Sequence, residues 1–503
     1  MNAQLSRWEW ACAGIVVVAG LLLRARIGLS TYLNPDEAVQ ALVAFGSWGD
    51  MLKGSLQFTH PPLIILITHV MSWVSRKELA LRLVPILAGS LFPILLSLWL
   101  RRVVGEMAAL AALFLLTLAP HLVNVSAQLR SYTLAFLFLS ASLLLFEQAI
   151  ENDRMWTMAA YNVALWLCIL SDYSVAWFAG AAGVYALLRL RGSSNGVKAM
   201  WAGGQLVALL LYCLMFAVHV QSFRGGAVAR GAITGWLRGG FPGSAELLVF
   251  PFKGTVKQFA YLTASVPLGV LALILFCGGL FLLWTGRTGI ERRKARALVV
   301  LFVLPFVLGL LGAYANQFPY GRSRHTLVLG IFGACGVAVL LEALPRRAGI
   351  ALLWAALLVT PLWHWQAVQD WNEMDADRLR KELIVQTMDY MRSAIPPGTL
   401  IFTERETLWI LAYYFGHNQL PPRAAAGRFS ETLLGAWRIG TRDYKYLTQD
   451  EYKEALLAFR RHYGLSDAEP VWVLDGGWDV VSVRQDELRP FTRAVRVFQT
   501  GMQ

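Results

Sequence analysis

Asp36 and Glu37 stand side by side in Asn34-Pro35-Asp36-Glu37-Ala38, directly after the first long apolar stretch of the chain. A carboxylate at the rim of a membrane span either meets water as an ordinary flanking charge or faces a polar cavity where it does chemistry. Three further polar groupings fall at comparable boundaries: Thr59-His60-Pro61-Pro62-Leu63, Gln128-Leu129-Arg130-Ser131-Tyr132, and Pro319-Tyr320-Gly321-Arg322-Ser323-Arg324-His325. Together they are the parts that chemistry on a lipid phosphate requires. A carboxylate can take the proton of an acceptor hydroxyl, while Arg and His donors hold and neutralise a phosphate leaving group on a lipid in the same leaflet. Arg322, Arg324 and His325 carry the most weight, because cations in a short outer loop run against the usual charge bias of membrane proteins and point to an anion gripped there. Snorkelling helix-end arginines are the plain alternative.

The elements that must position these residues are membrane helices. The chain has 503 residues, of which 56% are hydrophobic and 15% charged, and 19 are Trp, a composition that reads as a polytopic membrane protein. Apolar segments long enough to span run over 9–27, 79–100, 106–123, 131–149, 155–171, 173–190, 199–219, 263–285, 297–315, 324–343 and 349–366. The segment from Pro61 to Ser75 is short, opens on Pro-Pro and contains His69, which suits a helix in the outer interface. Leaving it out of the spanning set places Arg101-Arg102, Arg189, Arg191, Lys198, Arg287 to Arg296 and Arg346-Arg347 inside, as the positive-inside rule asks. The expected topology is therefore about 11 transmembrane helices with the N-terminus in and the C-terminus out.

Near residue 367 charged residues become frequent and no further spanning run follows. The expected organisation is a transmembrane domain over 1–366, with a first outer loop at 28–78 and a long outer loop at 220–262, and a small soluble α/β domain over 367–503. In that domain Leu379 to Ser393 and Glu451 to Tyr463 carry helical spacing, and Thr399–Thr403 and Val471–Leu474 read as buried strands. The formal charge of +13 suggests anionic lipid or an anionic substrate, and nothing resembles a nucleic-acid module. The five cysteines lie in apolar runs without metal-ligand or redox spacing.

Each candidate has a plainer reading. Arg82 is expected as a helix-start anchor rather than a catalytic group. Asp172 reads as a short-turn residue, or with Tyr173 as lining of an acceptor side. Lys253 and Lys257 share a helical face near Phe252 and Phe259, which fits interfacial anchoring as well as substrate contact. Glu37 could position Asp36, join it in the chemistry or cap the helix that follows.

In order and spacing, Asn34-Pro-Asp-Glu37, Thr59-His-Pro-Pro-Leu63, Leu81-Arg-Leu-Val-Pro-Ile-Leu-Ala-Gly-Ser90, Ala127-Gln-Leu-Arg-Ser-Tyr132 and Tyr320-Gly-Arg-Ser-Arg-His325 resemble the integral-membrane GT-C glycosyltransferases. Specifically, the chain is similar to the protein O-mannosyltransferase and aminoarabinose transferase-like branch, family 39 and its RgtA/B/C/D-like bacterial relatives, over roughly residues 10–345. The resemblance implies a GT-C fold and transfer of a hexosyl or pentosyl unit, with inversion, from a polyprenyl-phosphate donor of undecaprenyl or dolichyl type to a glycan, lipid or protein acceptor. It implies Asp36 as the general base, with Glu37 its adjoining acid. It places His60, Arg130, Tyr132, Tyr320, Arg322, Arg324 and His325 at the donor phosphate and lipid, with Lys53, Lys253 and Lys257 as further candidates. It also implies a bacterial inner membrane, with the active site and C-terminal domain on the periplasmic side. Relatives often carry a second acid in the next outer loop. Here Gln128 is the nearby polar residue and no acid lies between Pro120 and Ser131, so no essential metal is expected. An oligosaccharide ligase or polymerase using a polyprenyl-diphosphate donor, and a lipid or sugar transporter, are the alternatives.

Overall fold

The structure is a computed structural model and describes residues 7–57, 61–221, 237–355, 380–422, 428–442, 449–466 and 469–476. Inside a bilayer no water satisfies the backbone, so long apolar runs close their hydrogen bonds within themselves and become helices. In chain order these are α1 (Arg7–Ser30), α2 (Pro35–Ala44), α3 (Trp48–Gln57), α4 (Pro62–Val74), α5 (Glu78–Val103), α6 (Glu106–Leu118), α7 (Pro120–Ser126), α8 (Tyr132–Glu151) and α9 (Met155–Ser171). They continue as α10 (Ala176–Arg189), α11 (Asn195–Met215), α12 (Phe250–Thr263), α13 (Val266–Thr285), α14 (Arg292–Tyr314) and α15 (Leu327–Glu342).

Eight helical segments among the described residues are long and apolar enough to cross a membrane, and a bent pair makes a ninth if it counts as one span. Two of the eleven expected spans come out differently, and a third lies largely outside the described residues. The segment 106–123 is broken: α6 and α7 meet at 61°. Pro120 lacks an N–H and pushes Ala119 out of the helical region, to φ −57° and ψ 124°, so the first helix ends there. The segment 155–171 forms a helix of 17 residues, shorter than the ~20 that cross a bilayer upright. The segment 349–366 leaves the described residues after Ala355, as do Trp363, Trp365 and Trp371.

Above the spans, α2, α3 and α4 form a compact layer between the end of α1 and the start of α5. The 13 residues of α4 give a length of about 20 Å, too little to cross. Helix α2 is sealed on almost every side: Pro35 and every residue from Glu37 to Ala44 are buried, and only Asp36 retains partial exposure.

The C-terminal residues form a four-stranded mixed sheet from β1 (Leu400–Thr403), β2 (Phe429–Leu434), β3 (Trp437–Arg442) and β4 (Trp472–Leu474), in the order β2-β3-β1-β4. Strand β1 runs parallel to both β3 and β4, while β2 and β3 make an antiparallel hairpin. Helices α16 (Lys381–Ala394), α17 (Arg405–Tyr414) and α18 (Gln449–His462) accompany it. The sheet region shares one core with the outer layer: Leu33, Ala38, Leu42 and Ile65 pack in the same cluster as Met391, Leu408, Leu411 and Ile439. Hydrogen bonds tie the join, from Leu33 N to the Tyr414 hydroxyl at 3.1 Å and from the Tyr414 hydroxyl to Glu78 Oε1 at 2.9 Å. The expected boundary at 366/367 itself lies outside the described residues.

Glu404 ends β1 and starts α17, almost fully buried, and accepts from Gly476 N at 2.8 Å and from the Thr407 hydroxyl. Burial, with the Asp475 charge added to it, pushes its carboxyl up to about 8. The fold thus favours the protonated acid. Between the ordinary carboxylate range and about pH 8, unfolding must release that proton, so this contribution to stability is complete in acid and lost as pH rises through the window. Thermal melts of the purified protein between pH 5 and 8 should show stability falling with pH, and Glu404→Gln should flatten that slope. An unchanged slope in the variant refutes the assignment.

Candidate functional site

The site grows from the first turn of α2. Asn34 is an extended N-cap whose side chain accepts from Glu37 N at 3.0 Å, Glu37 Oε2 accepts in return from Asn34 N at 3.0 Å, and Pro35 starts the helix where a missing N–H costs nothing. This reciprocal box fixes Glu37 pointing inward. Asp36, about 100° away around the helix axis, must then point out of the packed layer.

Glu37 is completely buried and meets the equally buried Arg82 in a two-pronged pair: Arg82 Nε donates to Oε1 and Nη2 to Oε2, both at 2.8 Å. The remaining Arg82 donors close the end of α1, reaching Gly28 O, Thr31 O and Tyr32 O at 2.9 Å each and Thr31 Oγ1 at 3.0 Å. Arg82 is therefore no helix-start anchor at the membrane rim, as its position in Leu81-Arg82-Leu83 suggested, because its donors are consumed inside the protein. Glu37 Oε1 accepts once more, from Leu129 N at 2.6 Å, which fixes the loop before α8. Four donors on two oxygens leave Glu37 acting as helix cap and tie-point.

With Leu129 held there, the next residue, Arg130, reaches back to Asp36. Its Nη2 donates to Asp36 Oδ2 in a close contact, and Arg324 Nη2 donates to the same oxygen at 2.9 Å. The Arg130 side chain is 2% exposed, Arg324 24% and Asp36 33%, so the cluster is partly buried, with Asp36 its most accessible member. His325 follows, its Nδ1 lying 3.3 Å from the Tyr132 hydroxyl with the rings edge to face. Asp36, Arg130, Tyr132, Arg324 and His325, far apart in sequence, form one constellation.

Helix α12 splints the loop that delivers Arg324. The Tyr320 hydroxyl shares a hydrogen bond with Thr255 Oγ1 at 2.7 Å, Tyr320 N donates to Gly240 O at 2.7 Å, and Gln258 Nε2 donates to Thr326 O at 2.8 Å. Gly254 lies flat on the Tyr320 ring, where a Cβ would come within 2.6 Å of it. Gly321 holds a φ of +117°, open to glycine and strained for other residues, and its carbonyl accepts from Thr326 Oγ1 at 2.7 Å. Burial lifts the Tyr320 phenol to about 12, so it stays neutral as a structural donor. Arg322 is exposed on this loop, and Lys257 packs under Gly321.

Other expected residues lie elsewhere. Lys53 is exposed on α3 without a side-chain partner among the described residues, and Lys253 pairs with Glu246 at 2.9 Å, both about half exposed. His60 is outside the described residues. Asp172 caps a turn by accepting from Ser174 N at 2.8 Å, the plainer of its two expected roles. Thr255, Gln258 and Gly254 were not foreseen. Only the proximity of a basic-aromatic helix to the membrane pointed at α12, and its pairing with a loop 65 to 68 residues onward has no sequence signature. Among the described residues no three His, Cys, Asp or Glu side chains gather as a metal site would need.

Residues 59–219, roughly a third of the chain, match the family model of dolichyl-phosphate-mannose-protein mannosyltransferases. The match contains three of the five motifs that carried the resemblance; the Asp36 and Arg324 motifs lie outside it. No curated protein sequence matches the chain. Among solved structures, the chain is similar to ArnT from Cupriavidus metallidurans bound to undecaprenyl phosphate, at 16% identity and TM-score 0.48, over 82% of this chain and 71% of that one. It is also similar to the Archaeoglobus fulgidus oligosaccharyltransferase tethered with an acceptor peptide, at 13% identity and TM-score 0.45, over 81% of this chain. It spans 63% of the length of that oligosaccharyltransferase chain.

Removing one member of a buried ion pair leaves the other charge stranded, at a cost of about 3–5 kcal/mol. Arg82→Ala and Glu37→Ala should therefore each lower the unfolding temperature and the yield of monodisperse protein in detergent. The double variant should cost less than the sum of the two. Wild-type melting of either single variant would rule out the tie-point role.

Proposed function

We propose that the chain is a glycosyltransferase that moves a sugar from a polyprenyl-phosphate donor to a hydroxyl of an acceptor, on the extracytoplasmic face of a bacterial inner membrane. The single observation that carries this reading is one partly open carboxylate, Asp36, facing two arginines from different helix starts. The family match over residues 59–219 supports it from a separate part of the chain. In this reading residues 1–366 form the membrane transferase and 367–503 an extracytoplasmic domain.

Asp36 serves as general base. Its carboxylate takes the proton of the acceptor hydroxyl, the oxygen attacks the anomeric carbon opposite the phosphate, and the bond from that carbon to the phosphate oxygen breaks with inversion. Polyprenyl phosphate leaves with the bonding electrons, and its charge falls to Arg324 and Arg130, with His325 and the exposed Arg322 at the loop edge. Guanidinium groups suit this task because they stay charged and present forked donors. His60 would assist from the segment before α4. Glu37 takes no proton in this scheme and holds Asp36 in place.

Two guanidinium groups on one carboxylate oxygen stabilise its charge and make it a weak base. A donor phosphate needs the same two groups. Its arrival therefore draws Arg324 and Arg130 off Asp36 Oδ2 and raises the proton affinity of the base at the moment an acceptor can use it. Base strength is thereby coupled to donor binding.

Asp36→Asn tests this directly. Transfer of labelled sugar from a synthetic polyprenyl-phosphate donor should fall by about 10²–10⁴-fold, while affinity for polyprenyl phosphate holds or rises, because the phosphate no longer competes with a carboxylate for the arginines. Full activity in the variant, or loss of polyprenyl-phosphate binding in a well-folded variant, contradicts the mechanism.

A further inference from the structure

Helix α2 has two ends. Asp36 lies in its first turn, and Phe45 caps its last, nine residues on and so about 14 Å away along the axis. At the Phe45 end, the outer layer and the C-terminal domain enclose a cleft of about 430 Å³, within the ~300–1,000 Å³ range of small-molecule sites. It lies where two folded units meet, a common place for such sites.

The chemistry of its walls is specific. Phe45 and Tyr413 stack with ring centres 6.1 Å apart and give the cleft an aromatic side. Arg76 lies over the Phe45 ring at 4.7 Å, and the Tyr413 hydroxyl donates to Arg76 O at 2.6 Å, so the arginine is held in place by both units. Four cations line the cleft, Arg76, Lys77, Lys381 and Arg392, against two acids, Glu78 and Asp389. Both acids are already matched: Glu78 by Lys381 at 2.9 Å and Asp389 by Arg392 at 3.3 Å. Among the described residues Arg76 and Lys77 have no acidic partner: the Arg76 guanidinium donates to the Asn418 side-chain oxygen, an uncharged group, and the Lys77 ammonium makes no ion pair or side-chain hydrogen bond. An aromatic wall with two uncompensated positive charges fits a ring that carries an anion. Just before Arg76, Trp73 and Val74 are strongly exposed on α4, an apolar face suited to the membrane surface, so the cleft opens near lipid level.

We propose that this cleft is a second binding site, which takes an anionic sugar of the acceptor, a ring bearing phosphate or carboxylate, while the acceptor hydroxyl lies at Asp36. Helix α2 is the ruler between the two points, so acceptors are selected for an anionic unit about 14 Å from the hydroxyl that reacts. The assignment of this ring to an acceptor rests on the glycosyl-transfer reading above. The anion site itself rests on the cleft.

Saturation-transfer NMR on the purified full chain in neutral detergent, with glucose 1-phosphate and glucose as probes, tests the site without requiring turnover. Glucose 1-phosphate should receive saturation and glucose at least 10-fold less. Lys77→Glu, which breaks no contact in the fold, and Arg392→Glu should each weaken the phosphosugar signal 10-fold or more. Equal saturation of both probes, or a wild-type signal in both variants, overturns the proposal. So does a variant effect seen only as lost retention of phosphatidylglycerol in nanodiscs, which would make the cleft a clamp for bulk lipid headgroups. Undecaprenyl-phosphate retention in the same samples should be the same in wild type and in both variants. Its absence from wild type would count against the glycosyl-transfer reading, whereas absence of the phosphosugar signal alone would count against the cleft.

Discussion

The buried pair of Glu37 and Arg82 is the constraint on which the outer half of this protein depends. Between them the two side chains engage the N-terminus of α2, the last turn of α1, the residues that follow it and the backbone of Leu129. Two charges far from water are expensive, and they persist here because almost every donor and acceptor direction is used. The pair sets the rotation of α2, and that rotation leaves Asp36 as the one residue of the helix that is not buried. A neighbouring acid therefore does the structural task that leaves the other partly exposed between two arginines.

The second constraint is the delivery of Arg324 to the same point from the far side of the chain. The loop before α15 has little regular structure of its own and borrows rigidity from α12, through the Tyr320–Thr255 and Gln258–Thr326 hydrogen bonds and the bare backbone of Gly254. Arg130 comes from the loop tied to Glu37, and Arg324 from the loop splinted by α12. The two arginines thus arrive on supports that share no residue, and their meeting at one oxygen depends on the whole packing of the outer half. Such a site is preorganised by its supports rather than by its own contacts.

The C-terminal sheet closes the arrangement from above. Because Leu408 and Leu411 share a core with Ala38 and Leu42, the burial of α2 is completed by residues more than 300 positions later. The aromatic and cationic cleft lies along this same seam, so a single short helix joins the partly exposed Asp36 to the boundary between the two units.

Much of this was legible in the chain. Membrane spans announce themselves, since only long apolar runs can cross a bilayer, and eight of the expected eleven stand as helices of spanning length and composition. Two strands and two helices of the C-terminal region, β1, β4, α16 and α18, fall within a few residues of their expected limits, because turn residues and period mark them locally. Asp36, Arg130, Arg324 and His325 were recognisable as charges out of place at helix ends. What the sequence could not separate was Asp36 from Glu37, or the meaning of Arg82. Both questions turn on which way a side chain faces, and at the first turn of a helix that depends on a partner 45 residues away. The roles of α12, of the β2–β3 hairpin beneath α17 and of the cleft at Phe45 likewise exist only where distant segments meet. The sequence by itself determined which groups are available and that they sit at membrane boundaries, since hydrophobicity and charge are local properties. Only the tertiary structure decided which carboxylate is locked and which is open, because that follows from long-range pairing of buried charge.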